Sequence, residues 1–169
     1  MANVGKKFEK DWQDSVPIGI YIKRMPDPAI GFDVKNSTQR FAGKCPYDFV
    51  MYKQPFMYAL EMKSTGTTSI SFKGSSPMIK EHQIKELRKA HANGVKAGFV
   101  FNFRKSENTY YVPIEVFDAI TCMQMIGKSS INEKDLLESD YMGDIIEIPS
   151  RLKKVSYHYD VEVLFKEAM

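Results

Sequence analysis

The residues of this chain best suited to chemistry lie between Cys45 and Lys63. Asp48 sits in an aromatic and β-branched run, Tyr47–Tyr52 (YDFVMY). Lys53-Gln54-Pro55 breaks that run, and Phe56–Met62 (FMYALEM) resumes it up to Lys63. The pattern predicts two strands joined by a turn at Pro55. Antiparallel pairing across the turn would bring Asp48, near the start of the first strand, and Glu61, near the end of the second, to one end of a sheet. Lys63 follows Glu61 by two residues, so both side chains share a face. Two carboxylates and a lysine at a strand end suit a hard cation and a phosphodiester. Magnesium wants an octahedron of oxygens and usually takes only one or two protein carboxylates. The lysine can then orient or activate water beside the metal, or stabilise charge on the phosphate.

An acid-x-Lys triplet is also the ordinary signature of a surface ion pair, and 27% of this chain is charged. A second copy, Asp33-Val34-Lys35, lies between Gly31 and Asn36-Ser37 in turn-like sequence with no apolar strand before it. The Glu61 copy instead ends an apolar strand, which favours it as the functional one.

The elements that must position these residues can be read in order. With 169 residues, 43% hydrophobic, the chain fits a single domain over 1–169 with a full core. A net charge of +3 is compatible with nucleic acid without being diagnostic of it. Cys45 and Cys122 stand apart, in no metal-ligand spacing, and no signal peptide precedes Lys6-Lys7, which reads as a reduced, intracellular protein. No apolar run approaches membrane-spanning length. Asn3 is an N-cap for a helix over Val4 to Ser15 closed by Pro17, with Phe8, Trp12 and Val16 as its apolar stripe. Glu9 falls at the edge of the buried face, where a salt bridge to Lys6, Lys7 or Lys10 is the ordinary outcome. Ile18–Arg24 is compatible with a strand, and Met25–Lys44, carrying Lys35, Arg40 and Lys44, with a loop or hairpin.

Beyond the lysine, Ser64–Ser76 reads as a Ser/Thr/Gly-rich loop, mobile without a ligand. Pro77 starts a helix over Met78 to Ala92, ended by Asn93-Gly94. Ile84, Leu87 and His91 face inward, and Lys80, Lys85, Arg88 and Lys89 outward. Gln83, four residues before Leu87, also tends inward, and a buried amide is costly unless satisfied, so it should meet polar groups. His82 points away and reads as a solvated or phosphate-touching residue. Val95–Phe103 and Thr109–Ile114 are strands joined by a polar turn at Arg104–Asn108. Glu115–Ile126 is an amphipathic helix whose Val116, Phe117, Ile120, Met123 and Met125 serve core or oligomer interface. Asn132–Ser139 reads as a short helix and Asp144–Ile148 as a short strand. Arg151, Lys153 and Lys154 precede Tyr157–Tyr159 and a final helix near Val161–Ala168. This order argues for an α/β fold around a mixed sheet flanked by helices.

Taken together, Gly5-x-x-Phe8-Glu9, Asp48, Glu61-Met62-Lys63, Ile79-Lys80-Glu81-His82-Gln83, Gly98-Phe99-Val100-Phe101 and Tyr110-Tyr111 resemble the RecU-type Holliday-junction resolvases. These are a branch of the PD-(D/E)xK nuclease superfamily. The likeness runs from Gly5 to about Tyr111, and Tyr157–Phe165 is similar to the family's C-terminal helix. It implies a restriction-endonuclease-like core in which Asp48, Glu61 and the backbone carbonyl of Met62 hold Mg²⁺, with Mn²⁺ as a substitute. It further implies that Lys63 assists the attacking water, that Glu9 faces the site from the first helix, and that Gln83 completes it. The implied activity is paired, symmetric cleavage of four-way DNA junctions in recombination and repair. The implied protein is a cytoplasmic homodimer, since two cuts need two sites about a two-fold axis, with a branch-migration motor as a partner. Lys73, Lys80, Lys85, Arg88 and Lys89 are candidates for phosphate contacts that position the duplex, or else serve solubility. Two rival readings are a related nuclease acting on linear or flapped duplex, and a non-catalytic junction-binding protein of the same fold. The chain departs from the resemblance in two places. Pro17–Lys44 is shorter than the stalk-forming insertion of the family's cellular members. Cys45-Pro46-Tyr47 stands where the superfamily has a Pro or small polar residues.

Overall fold

The structure is a computed structural model that describes residues 4–26, 32–33, 38–39, 45–124 and 127–166. In chain order its first half comprises α1 (Val4–Ser15), β1 (Tyr21–Arg24), β2 (Phe32–Asp33), β3 (Thr38–Gln39), β4 (Phe49–Lys53), β5 (Phe56–Thr65), β6 (Ser69–Ser71) and α2 (Glu81–Ala92). The second half comprises β7 (Lys96–Phe103), β8 (Asn108–Pro113), α3 (Ile114–Ala119), β9 (Ser130–Asn132), α4 (Glu133–Leu137), β10 (Ile146–Glu147), β11 (Ser150–Lys153), β12 (Ser156–Tyr159) and α5 (Val163–Lys166).

β5 is buried from Tyr58 to Met62 and β7 from Ala97 to Phe103 because both of their faces are covered there. They pair in parallel over eight rungs, from Tyr58 opposite Lys96 to Thr65 opposite Phe103, and form the centre of a six-stranded sheet in the order β1-β4-β5-β7-β8-β10. The remaining neighbours are antiparallel, so the sheet is mixed. A parallel pair needs a crossover, and α2 supplies it. Alternation along the central strands sorts side chains into two cores. Ala59, Phe99, Phe101 and Phe103 pack with Leu87 and Phe117. Tyr58, Leu60, Met62 and Val100 pack with Phe8 and Trp12 of α1 and with Tyr159, Leu164 and Phe165 near the C-terminal end. Each such large apolar side chain contributes roughly 1.5–3 kcal/mol by leaving water.

The predicted hairpin is present, with Phe49 opposite Leu60 and Lys53 opposite Phe56 across the Gln54-Pro55 turn. The first helix has the expected bounds, but its Asn3 cap lies outside the described residues. So do Lys35, Arg40, Lys44, Met125 and Ala168; within 25–44, β2 and β3 form a short antiparallel pair.

Several expectations are corrected. Glu61 is not at a strand end, because β5 continues to Thr65 along β7 while β4 stops beside it. Ser64–Ser76 is not simply a loop: β6 pairs with β9, and Ile70 is fully buried. The second helix begins at Glu81 rather than Met78, because the Met78 and Ile79 amides are bonded to Ser71, to its Oγ at 2.9 Å and its carbonyl at 2.9 Å. His91 is exposed and lies 3.4 Å from Glu115 instead of facing inward. The helix after Ile114 changes to a π-helical turn over Ile120–Gln124, where Thr121 Oγ1 donates to the Phe117 carbonyl at 2.7 Å. The final helix is short, Val163–Lys166, and Ser150–Tyr159 before it forms a β11–β12 hairpin.

Gly98 marks the closest approach at the sheet centre. A Cβ there would lie 2.4 Å from the Val112 carbonyl oxygen and 2.8 Å from the Tyr111 ring. Gly98→Ala should therefore destabilise the fold by about 1–3 kcal/mol, since neither a ladder carbonyl nor a packed ring can yield cheaply. Urea denaturation would read this as a lowered midpoint, and an unchanged midpoint would contradict it.

Candidate active site

The site grows from the unequal lengths of β4 and β5. Asp48 N donates to the Leu60 carbonyl at 3.0 Å, the last rung before β4 ends. Met62, two residues on, directs its amide and its carbonyl to the same side, where no β4 residue remains. The Asp48 carboxylate occupies that position and accepts from Met62 N at 2.7 Å. Asp48 is fixed from its other side as well, its carbonyl accepting from Met25 N at 2.8 Å.

Glu61 and Lys63 project from the opposite face of β5 to Leu60 and Met62. Glu61 is 2% exposed. Its Oε1 accepts from Lys63 Nζ at 2.8 Å and from Gln83 Nε2 in a short contact. Gln83 is half-buried, as its spacing predicted, and its own Oε1 accepts from Lys80 N at 2.8 Å. One amide side chain thus caps the start of α2 and orients the carboxylate.

Glu9 comes from α1 on the side of β1. Its partner is Arg24, not one of the nearby lysines: Nε and Nη2 of Arg24 approach Oε2 at 2.9 and 2.8 Å. Arg24 was missed in the sequence because it sits in a short, half-exposed strand; only the register that places it opposite Phe49, next to Asp48, reveals its place. Among the described residues no cluster of three or more His, Cys, Asp or Glu stands ready to hold a metal.

Burial raises the Asp48 carboxyl above its ordinary range, and the Glu9 charge adds to this. The Met62 amide, Lys63 and Arg24 oppose it. Burial likewise pushes Glu61 up to about 7, against the pull of Lys63, with the charges of Asp48 and Glu9 pushing the same way. Two carboxylates that burial makes reluctant to ionise, beside a backbone carbonyl beyond the end of β4, are a fitting donor set for a hard dication. Such an ion would offset the cost of ionising both acids and takes oxygen ligands of this type.

The candidate phosphate-contacting residues are placed less uniformly. Lys73, Lys80 and Lys89 are exposed. Lys85 is paired with Glu81 at 2.7 Å. Arg88 makes a two-pronged contact with Asp118, both bonds at 2.7 Å, which ties α2 to α3.

With this geometry in view, the comparisons with known proteins are informative. The profile of RecU, recombination protein U, matches residues 17–157. The chain belongs to the RecU family. That is a family of Holliday-junction resolvases, and the resemblance read from Asp48, Glu61-Met62-Lys63 and Gln83 agrees with it. The matched range begins after α1, so Glu9 lies outside it. The chain is also 29% identical to the SPbeta prophage-derived uncharacterized protein YotM of Bacillus subtilis (strain 168), over 98% of this chain and 86% of that one. It aligns with the 1.6 Å structure of Hjc of Archaeoglobus fulgidus, a Holliday junction resolvase from an archaeal hyperthermophile. That alignment has a TM-score of 0.45 and 16% identity, covering 78% of this chain and 90% of that chain. No helix among the described residues is long and apolar enough to cross a membrane.

The raised Glu61 carboxyl has a consequence for stability in this RecU-family protein. A folded-state pKa above the unfolded one means the native state binds the proton more tightly between them. Its contribution is therefore full below about pH 4.5 and lost as pH rises to about 7. Without divalent cation, wild type should lose up to about 3 kcal/mol relative to Glu61→Gln across that window. Paired urea melts in EDTA at pH 5 and pH 8 would test this, and parallel pH profiles would refute it.

Proposed function

We propose that this RecU-family protein is a divalent-metal-dependent endonuclease that resolves four-way DNA junctions by paired, symmetric cuts. The observation that carries the reading is the convergence of Asp48, Glu61, Lys63 and Gln83 where β5 outruns β4. In this reading Asp48, Glu61 and the Met62 carbonyl hold the cation, Mg²⁺ or Mn²⁺. When bound, it would polarise the scissile phosphate and make water a better nucleophile. Lys63, whose ammonium already lies against Glu61, holds the attacking water in line and takes up negative charge that develops on the phosphate. Gln83 fixes the Glu61 carboxylate so that one oxygen stays in place. Glu9 and Arg24 set the charge around Asp48 from the far side. The candidates Lys73, Lys80 and Lys89 position the duplex through its phosphates, a mode that reads shape rather than sequence.

Symmetric cutting requires two such sites about a two-fold axis, so the working form is a homodimer. A same-fold nuclease acting on linear or flapped duplex would share every residue of the site, and only substrate comparison separates it. A non-catalytic junction binder is disfavoured by the presence of both carboxylates and the lysine.

Incubating the protein with a labelled mobile four-way junction and with plain duplex of the same sequence, with and without Mg²⁺, tests the reading. Paired symmetric nicks on the junction that need the metal are expected. Asp48→Asn, Glu61→Gln and Lys63→Ala should each slow cleavage by at least about 100-fold while leaving junction binding in place. Equal rates on junction and duplex would sink the resolvase assignment. Binding without cleavage in Mg²⁺ and Mn²⁺ alike would reduce the protein to a junction-binding factor.

A further inference from the structure

The β11–β12 hairpin was not foreseen, and its position gives it a use. In its register Arg151 is opposite His158 and Lys153 opposite Ser156, so these four side chains share one face. The other face, with Tyr157 and Tyr159, lies on α1: Tyr157 N donates to Asp11 at 3.0 Å and Tyr159 N to Ser15 Oγ at 3.0 Å. Residues 151–156 are all exposed, and three of them are cationic with no acid among them. The turn is sharp, with Lys154 at φ 56°, and it presents Val155 at 80% exposure beside Leu152 at 60%.

Among the described residues, many basic side chains elsewhere are neutralised, such as Lys7 by Asp11, Lys85 by Glu81, Arg88 by Asp118 and Lys128 by Asp135. Arg151, Lys153 and Lys154 form no ion pair among the described residues. Their concentrated charge is felt locally: burial and then the Lys153 and Arg151 charges hold the His158 imidazole below its ordinary range, with Asp160 at the hairpin base opposing them.

The tip of this hairpin lies at the catalytic end of the sheet. Tyr157 Oη reaches Glu107 of the β7–β8 turn at 2.7 Å. That turn follows directly from the last β5–β7 rung, where Arg104 N donates to the Thr65 carbonyl, two residues beyond Lys63. Arg104 itself is exposed, and its Nη1 donates to Ser64 Oγ at 3.1 Å. Gly66 leaves it room, since a Cβ there would stand 2.5 Å from Arg104 Nη2. Val155, Tyr157, Arg104 and Lys7 line one small concavity between hairpin, turn and α1.

We propose that the outer face and tip of the β11–β12 hairpin, continued by Arg104, form a binding surface for the phosphate backbone of one DNA arm beside the cleavage site. An unpaired cationic ribbon on a rigid two-stranded element complements a line of phosphates, and α1 anchors it at a fixed offset from Glu61 and Lys63. The surface lies across α1 from β1 and is separate from the α2 lysines. This inference rests on the reading above that the substrate is DNA.

The test is junction binding by fluorescence anisotropy in EDTA, which prevents cleavage, across 50–200 mM KCl. The variants are R151Q/K153Q/K154Q and a charge-matched set with changes elsewhere, K128Q/K134Q/K166Q. Each phosphate contact contributes about 0.9 to the slope of log affinity against log salt. The hairpin triple should therefore flatten that slope by about 2–3 and weaken binding at least 10-fold near 100 mM, far more than the matched set. The charge-conserving R151K/K153R/K154R should bind as wild type. If the triple fails to melt like wild type, Lys153→Gln alone should still flatten the slope by about 1. An unchanged slope, or equal losses in both sets, overturns the hairpin proposal even where wild type binds and cuts junctions normally. Absence of any DNA binding by wild type would overturn both it and the functional reading.

Discussion

Where β4 stops and β5 continues, the Met62 amide is left without a strand to bond, and Asp48 takes it. Much of the site follows from that one mismatch in length. The carboxylate is drawn to the uncovered edge of β5, where it is half-buried, and lies close enough to Glu61 for its charge to make that acid harder to ionise. The long parallel β5–β7 pair makes the mismatch tolerable, because eight rungs on its other edge hold β5 straight past the point where β4 has ended. A sheet with strands of equal length would have satisfied Met62 by a ladder bond and left Asp48 to solvent.

The cost of holding Glu61 buried beside the half-buried Asp48 is met by neighbours that are themselves constrained. Lys63 and Gln83 both donate to one oxygen of Glu61, and Gln83 can do so only because α2 begins where it does. The start of α2 in turn depends on Ser71 holding the amides of Met78 and Ile79 in the bend before the helix. The short strand β6 therefore belongs to the support of the candidate site, although its residues carry no chemistry.

Much of this was legible in the sequence. The 47–62 hairpin, the apolar strand through Phe99 and Phe101, and the helix ended by Asn93-Gly94 all follow from local pattern, and local pattern decided them. Gln83 was legible as an inward amide needing partners, and Glu61 is among the partners it found. Other features depend on tertiary pairing that leaves little trace in composition. Ser69–Ser71 reads as loop because its serines fit turns, yet it pairs with Ser130–Asn132, sixty residues away in sequence. The 150–159 hairpin was hidden by its basic, exposed outer positions, which give no apolar alternation. The Glu9–Arg24 pair was invisible for a similar reason: helix periodicity set Glu9 at the edge of α1, but only strand register brings Arg24 to it.

Helix α1 is held by residues far along the chain. Asp11 and Ser15 receive the amides of Tyr157 and Tyr159, and Trp12 packs on the Tyr159 ring. These contacts span more than 140 positions in sequence. During synthesis, α1 is made long before the β11–β12 hairpin, and its docking surface is complete only once that hairpin has formed. The acid that α1 presents beside Asp48 thus reaches its final place only after β12 has been made. The order of translation itself then withholds a finished candidate site from a nascent chain.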